Sequence, residues 1–266
     1  MAMTSVMNRI WGWLRWQRVP VQGVRILQPM RETTVVVSYS IFYILAAGVC
    51  GYLIEHQPLP ILGAAGLTED AWYALLFKIG LLLIVPAVWF VRQGYQVRDL
   101  LPSWKFQSRA AVSIVISFFV GLSLNLGRVH FISEAAGSFS AANLVTRIGI
   151  GIVLPLFMAG IPEEFVFRGI LQTRLESQFG RVIAVLTTAL LFTCWHLPTR
   201  FLLSHGVEGS AGDFGSVLMG TGVPVFVVGL VFGLFWDRYR SLLPLIAAHW
   251  GIDIIPQIVG LLGVSY

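Results

Sequence analysis

The chain has 266 residues, 56% of them hydrophobic and only 12% charged, with a formal net charge of +5. Soluble domains carry about 25% charged residues, so an ordinary water-soluble enzyme is excluded and most of the chain belongs in lipid, where only helices and closed barrels satisfy the backbone. The positive balance does not indicate nucleic acid, because the arginines flank apolar runs and follow the pattern of membrane topology. Cys50 and Cys194 both lie within such runs, as small buried hydrophobes do, and do not suggest a disulfide or a metal site.

Residues 1–34 form a head in which Trp11, Trp13 and Trp16 alternate with Arg9, Arg15 and Arg18. This mixture suits an amphipathic segment lying on the membrane surface, with a disordered basic tail as the alternative. The first apolar run starts too late and is too long for a cleaved signal peptide. A bilayer core takes roughly 20 apolar residues per helix, and the runs of suitable length fall at 35–54, 71–91, 110–127, 144–167, 182–197, 216–236 and 242–262. They are long and not alternating, which favours helices over a barrel. The expected fold is an all-α polytopic transmembrane bundle of about seven or eight helices. It divides into the head (1–34), the N-terminal transmembrane helices (35–143) and a helical core (144–262). The fifth run is short, and the sixth is interrupted by Gly220, Gly222 and Pro224, so a kink or a split is expected there. The connector 198–215 reads as a surface loop or a lid. Lys78 lies about two turns inside the second run, where it would snorkel or pair.

Basic residues set the orientation. The head, the loop at 92–109 and the turns after 167 and 236 carry nearly all of them, among them Arg92, Arg98, Lys105, Arg174, Arg181, Arg238 and Arg240. The opposite loops hold Arg128 and Arg200 together with Glu55, Glu69, Asp70, Glu134, Glu208 and Asp213. By the positive-inside rule the N-terminus is cytoplasmic.

Ionisable groups within the apolar runs are functional candidates by default, because each costs several kcal/mol in hydrocarbon. Glu163, Glu164, His196 and His249 qualify, with Arg168 and Asp253 nearby. Glu164 and Arg168 are i,i+4 with the acid first, the better order for a helical pair. Glu163 points to another face and has no partner on its own helix, so it is the better candidate for a general base. The alternative is a structural role, in which both acids pair or cap a helix that starts at Pro162. Phe192 and His196 are i,i+4, as are His249 and Asp253, so the ring and the acid can each support a histidine. If the fourth and fifth runs form a hairpin turning at Gly180, Glu163 and His196 both lie roughly 25 Å from the turn at 1.5 Å per residue. His249, roughly 12 Å in from the same side, can face the same cavity.

These motifs resemble those of the CPBP family, which includes type II CAAX prenyl endopeptidases and the bacterial abortive-infection and bacteriocin-processing membrane proteases. The family pattern E-E-x-x-x-R is met by Glu163, Glu164 and Arg168, F-x-x-x-H by Phe192 and His196, and H-x-x-x-N/D by His249 and Asp253. The resemblance covers about residues 144–258. It implies an eight-helix, metal-independent glutamic protease in which Glu163 and His196 activate a water, while His249 and residue 253 stabilise the oxyanion. Glu164, Arg168 and Phe192 would support that site. At 253 the prenyl endopeptidases typically carry asparagine. An ionised Asp253 donates no hydrogen bond, and would have to be protonated or act by keeping His249 charged. The implied location is the bacterial inner or plasma membrane, and the implied partners are the bilayer and a membrane-associated peptide or protein cleaved near a terminus or hydrophobic tail. No cofactor is expected. Two alternatives stay open: a metal-dependent membrane hydrolase, in which the glutamates and histidines bind zinc, and a non-catalytic scaffold, immunity factor or chaperone.

Overall fold

A computed structural model describes residues 25–56, 74–100, 108–204 and 208–263, and the described part of each apolar run is mostly helical. The Trp-rich part of the head and the loop residues Glu69, Asp70 and Lys105 lie outside the described residues. Among the described residues there is no strand. Helix α1 spans Pro29–His56. Helix α2 begins as a π-helix at Ala74–Ile84 and continues as Val85–Arg92. Helices α3 (Ser108–Ser123) and α4 (Val129–Ala136) are joined by a short 3-10 turn, with a bend of 48° between them. Helices α5 (Ala141–Phe179), α6 (Arg181–Leu203), α7 (Phe214–Tyr239) and α8 (Leu242–Leu261) complete the bundle. Among the described residues, α1, α5, α6, α7 and α8 are each long and apolar enough to cross a membrane, and the α3–α4 pair makes a sixth if counted as one bent span. The chain is therefore an all-α polytopic bundle.

Three boundaries differ from the sequence expectation. Helix α5 does not stop near Phe167 but runs on to Phe179. Its last turns hold Arg168 and Arg174, which hydropathy places outside the bilayer, yet both are buried against protein carboxylates. Helix α6 takes up Pro198 and continues to Leu203, so the connector to α7 is shorter than 198–215. The sixth run is not split, because Leu218–Gly222 forms a π-turn that leads directly into Val223–Tyr239. A wide turn tolerates a proline that removes one hydrogen bond and crowds the preceding turn.

The same device acts inside α5. Two π-segments, Leu156–Gly160 and Phe165–Gln172, flank the short α-helical stretch Ile161–Glu164. The helix is continuous through Pro162, so no helix begins there and the two glutamates cap nothing. This corrects the capping alternative. Gly180 (φ +78°) makes the turn between α5 and α6, a conformation that glycine adopts without Cβ strain.

Ion pairs tie the helix ends together at that side of the bundle. Arg25 meets Asp99 at 3.2 Å, Arg174 meets Glu32 at 3.3 Å, Arg181 meets Asp237 at 2.9 Å and Arg240 meets Glu176 at 2.5 Å. Tyr95 donates to Glu32 at 2.6 Å; burial, reinforced by that carboxylate, pushes its phenol up. At the other end Arg200 pairs with Glu208 at 2.9 Å, and Arg147 donates to the Leu261 carbonyl.

Helix α8 is the most enclosed of the spans, and small residues let α3 lie directly on it. A Cβ on Gly121 would stand 2.0 Å from the Ala248 carbonyl oxygen, and one on Gly251 would stand 2.3 Å from that of Phe118. Small residues at a membrane helix crossing give the backbone contact that replaces the missing hydrophobic drive. Gly251→Ala is expected to lower stability by about 3 kcal/mol, the upper end for overpacking. Thermal unfolding of the detergent-solubilised protein checks this, and an unchanged midpoint would contradict the crossing.

Candidate active site

Four helices deliver polar side chains to one point in the middle of the bundle. Helix α5 contributes Glu163 and Glu164, α6 His196, α8 His249 and Asp253, and α2 Lys78. Glu163 is 1% exposed, and Glu164 and Arg168 are fully buried. Charges this deep in an apolar medium persist only when paired and hydrogen-bonded.

Glu164 is the anchor. Its Oε1 accepts from Arg168 Nη1 at 2.9 Å, one helical turn on, and from His249 Nδ1 at 2.7 Å. The Arg168 guanidinium lies between two aromatic faces, 4.4 Å from the Phe192 ring centre and 5.2 Å from that of Phe232. Those faces stabilise it where water is excluded. Phe192 also meets both histidines. It stacks on Arg168, packs edge-on to His196 with ring centres 4.8 Å apart, and offers its carbonyl to His196 Nδ1 at 2.7 Å.

The histidine tautomers follow from these partners. A carbonyl oxygen only accepts, so His196 Nδ1 carries a proton and the neutral ring presents a lone pair at Nε2. His249 donates from Nδ1 to Glu164, which directs its Nε2 the other way, 3.6 Å from Glu163 Oε2 and 3.5 Å from Asp253 Oδ2. His196 Nε2 lies 3.9 Å from the same Glu163 Oε2. The other oxygen, Oε1, accepts from Lys78 Nζ at 2.7 Å. Glu163 Oε2 is buried without a hydrogen-bond partner and faces both histidines. Asp253 sits at the more open edge, with its side chain 33% exposed.

All seven site residues expected from sequence come together here, with two changes of partner. Glu163, which has no partner on its own helix, is paired across the bundle with Lys78. His249, expected to lean on Asp253, makes its shorter contact to Glu164. Lys78 was missing from the expected site. Its signal was an ammonium inside an apolar run, but nothing in the spacing said which helix would meet it. Among the described residues, no group of three or more His, Cys, Asp or Glu has the geometry to hold a metal ion.

Residues 146–255 match the family model Type II CAAX prenyl endopeptidase Rce1-like. The match contains the glutamate pair and both histidines. Comparison with curated proteins and with solved structures gave no match.

Proposed function

We propose that the protein is an intramembrane endopeptidase in which Glu163 and His196 activate a water to cleave a membrane-associated peptide near a terminus or hydrophobic tail. The observation that carries this reading is Glu163 Oε2, buried, unpartnered and within 4 Å of both histidine Nε2 atoms. Glu163 Oε2 and His196 Nε2 are both acceptors, so a water lodged beside them donates to each. Oε2 takes the proton as the water oxygen attacks the scissile carbonyl carbon. The oxyanion forms facing His249, which is held by Glu164 and donates from Nε2 when doubly protonated. Collapse breaks the C–N bond, and the proton on Glu163 passes to the departing amine.

In this mechanism Asp253 gives the oxyanion no donor. Asp253→Asn supplies an amide N–H at that edge, and kcat is expected to rise several-fold, toward the roughly 10²-fold that one such donor contributes in full. A fall in kcat would mean that Asp253 works by its charge on His249. Position 253 is also what favours a non-catalytic scaffold, which differs in requiring no proton acceptor at 163.

No metal enters the reaction as proposed. Glu164 is already occupied by Arg168 and His249, and an ammonium 2.7 Å from Glu163 repels a dication. Cleavage is therefore expected to persist at full rate in excess 1,10-phenanthroline, and loss that zinc restores would transfer the function to a metal-dependent hydrolase. The end of the bundle bearing Arg25, Arg174, Arg181 and Arg240 faces the cytoplasm in this reading, and the membrane is the bacterial inner or plasma membrane. The deciding experiment compares peptide termini in membranes from cells expressing wild type or Glu163→Gln at matched levels. Termini that disappear in the variant identify the substrate. A wild-type phenotype with unchanged termini would leave the scaffold.

A further inference from the structure

Lys78 lies outside the segment 146–255 that carries the family match, and the mechanism above assigns it no step. It extends from the π-helical part of α2 and donates to Glu163 Oε1 at 2.7 Å. Its Nζ also lies 5.1 Å from the centre of the Trp195 ring, next in sequence to His196. The side chain is 17% exposed while that of Glu163 is 1% exposed, so the ammonium reaches inward from the rim to a buried acid.

The two oxygens of Glu163 consequently have different surroundings. Oε1 is held by an ammonium, whereas Oε2 is bare and faces two imidazole nitrogens. The last torsion of a glutamate is broad and nearly two-fold. Without a hold on one oxygen, the carboxylate plane turns freely relative to the histidines. The aromatic face of Trp195 restrains the ammonium in turn.

We propose that Lys78 is the positioning residue of Glu163: by holding Oε1 it turns Oε2 toward His196 and His249, so that α2 completes a site whose other parts lie within 146–255. This rests on the reading of Glu163 as the base. It also means that the helices ahead of the matched segment supply part of the reaction geometry and not only an anchor.

The test uses the full chain in nanodiscs and an internally quenched peptide ending in a farnesylated Cys-Ala-Ala-X sequence. Lys78→Met is expected to lower kcat about 100-fold, the cost of a misplaced reacting group, with KM within about twofold of wild type. Lys78→Arg, which keeps a donor and a charge, is expected to recover at least about a tenth of the wild-type kcat. Wild-type kcat in Lys78→Met overturns the proposal, and so does a loss that Lys78→Arg does not relieve, which marks a structural brace. If the wild type leaves this peptide intact, the peptidase reading fails for it and the hold on Glu163 is judged separately. Dicyclohexylcarbodiimide attacks buried carboxylic acids but not a carboxylate kept charged by an ammonium, so labelling of Glu163 is read by peptide mass spectrometry. At least about fivefold more label in Lys78→Met than in wild type is expected; equal labelling overturns the proposal.

Discussion

Glu163→Gln is expected to lower cleavage by roughly 10³-fold, within the range that a positioned general base contributes, while the bundle stays folded. The amide has the volume of the acid, and its oxygen still accepts from Lys78, so the cross-bundle contact survives. It takes no proton from a water, so the attacking oxygen stays a poor nucleophile. Lys78 keeps its charge without a countercharge, but 17% of its side chain remains exposed, which moderates the penalty. Turnover in nanodiscs, read beside a thermal unfolding curve, separates the two effects. A variant that turns over within about tenfold of wild type would remove Glu163 from the reaction.

Arg168→Met is expected to be the most destabilising single change in the site, by about 3–5 kcal/mol, as when one partner of a buried ion pair is removed. Arg168 and Glu164 are both fully buried and 2.9 Å apart. Loss of the guanidinium strands a carboxylate whose Oε2 already lacks a partner and removes the cation from between the Phe192 and Phe232 rings. The His249 contact at 2.7 Å then becomes its one remaining support. The double variant Arg168→Met with Glu164→Gln removes the stranded charge and is expected to unfold later than the single variant. Equal unfolding of the two would show that the aromatic packing, and not the charge, is what Arg168 supplies.

The two predictions separate two layers of the site. In the proposed reaction Glu163, His196 and the outward nitrogen of His249 do the chemistry, with Glu163 Oε2 facing both histidines. Glu164, Arg168 and Phe192 form the layer beneath them, where the contacts are 2.7 to 2.9 Å. A well-bonded support beneath the groups proposed to react is the arrangement that preorganised catalysis requires.

Much of this was legible in the chain itself. Hydropathy is a property of short stretches, so seven apolar runs located the helices, and the basic residues separated the two ends of the bundle. Helical spacing alone paired Glu164 with Arg168 and Phe192 with His196, because residues four apart share a face whatever surrounds them. Equal distances from Gly180 set Glu163 and His196 at one height. The rest depended on how the helices tilt and rotate against one another. Hydropathy ended α5 near Phe167 because it scores Arg168 and Arg174 as lipid-averse, whereas their carboxylate partners on other turns and helices carry them inside. The pairing of Lys78 with Glu163, the choice of Glu164 over Asp253 as the closer partner of His249, and the exposure of one Glu163 oxygen to both histidines all join residues on separate helices. Local periodicity says which face a residue occupies but not which neighbouring helix that face meets. That was decided by packing, through close crossings such as the one Gly121 and Gly251 permit.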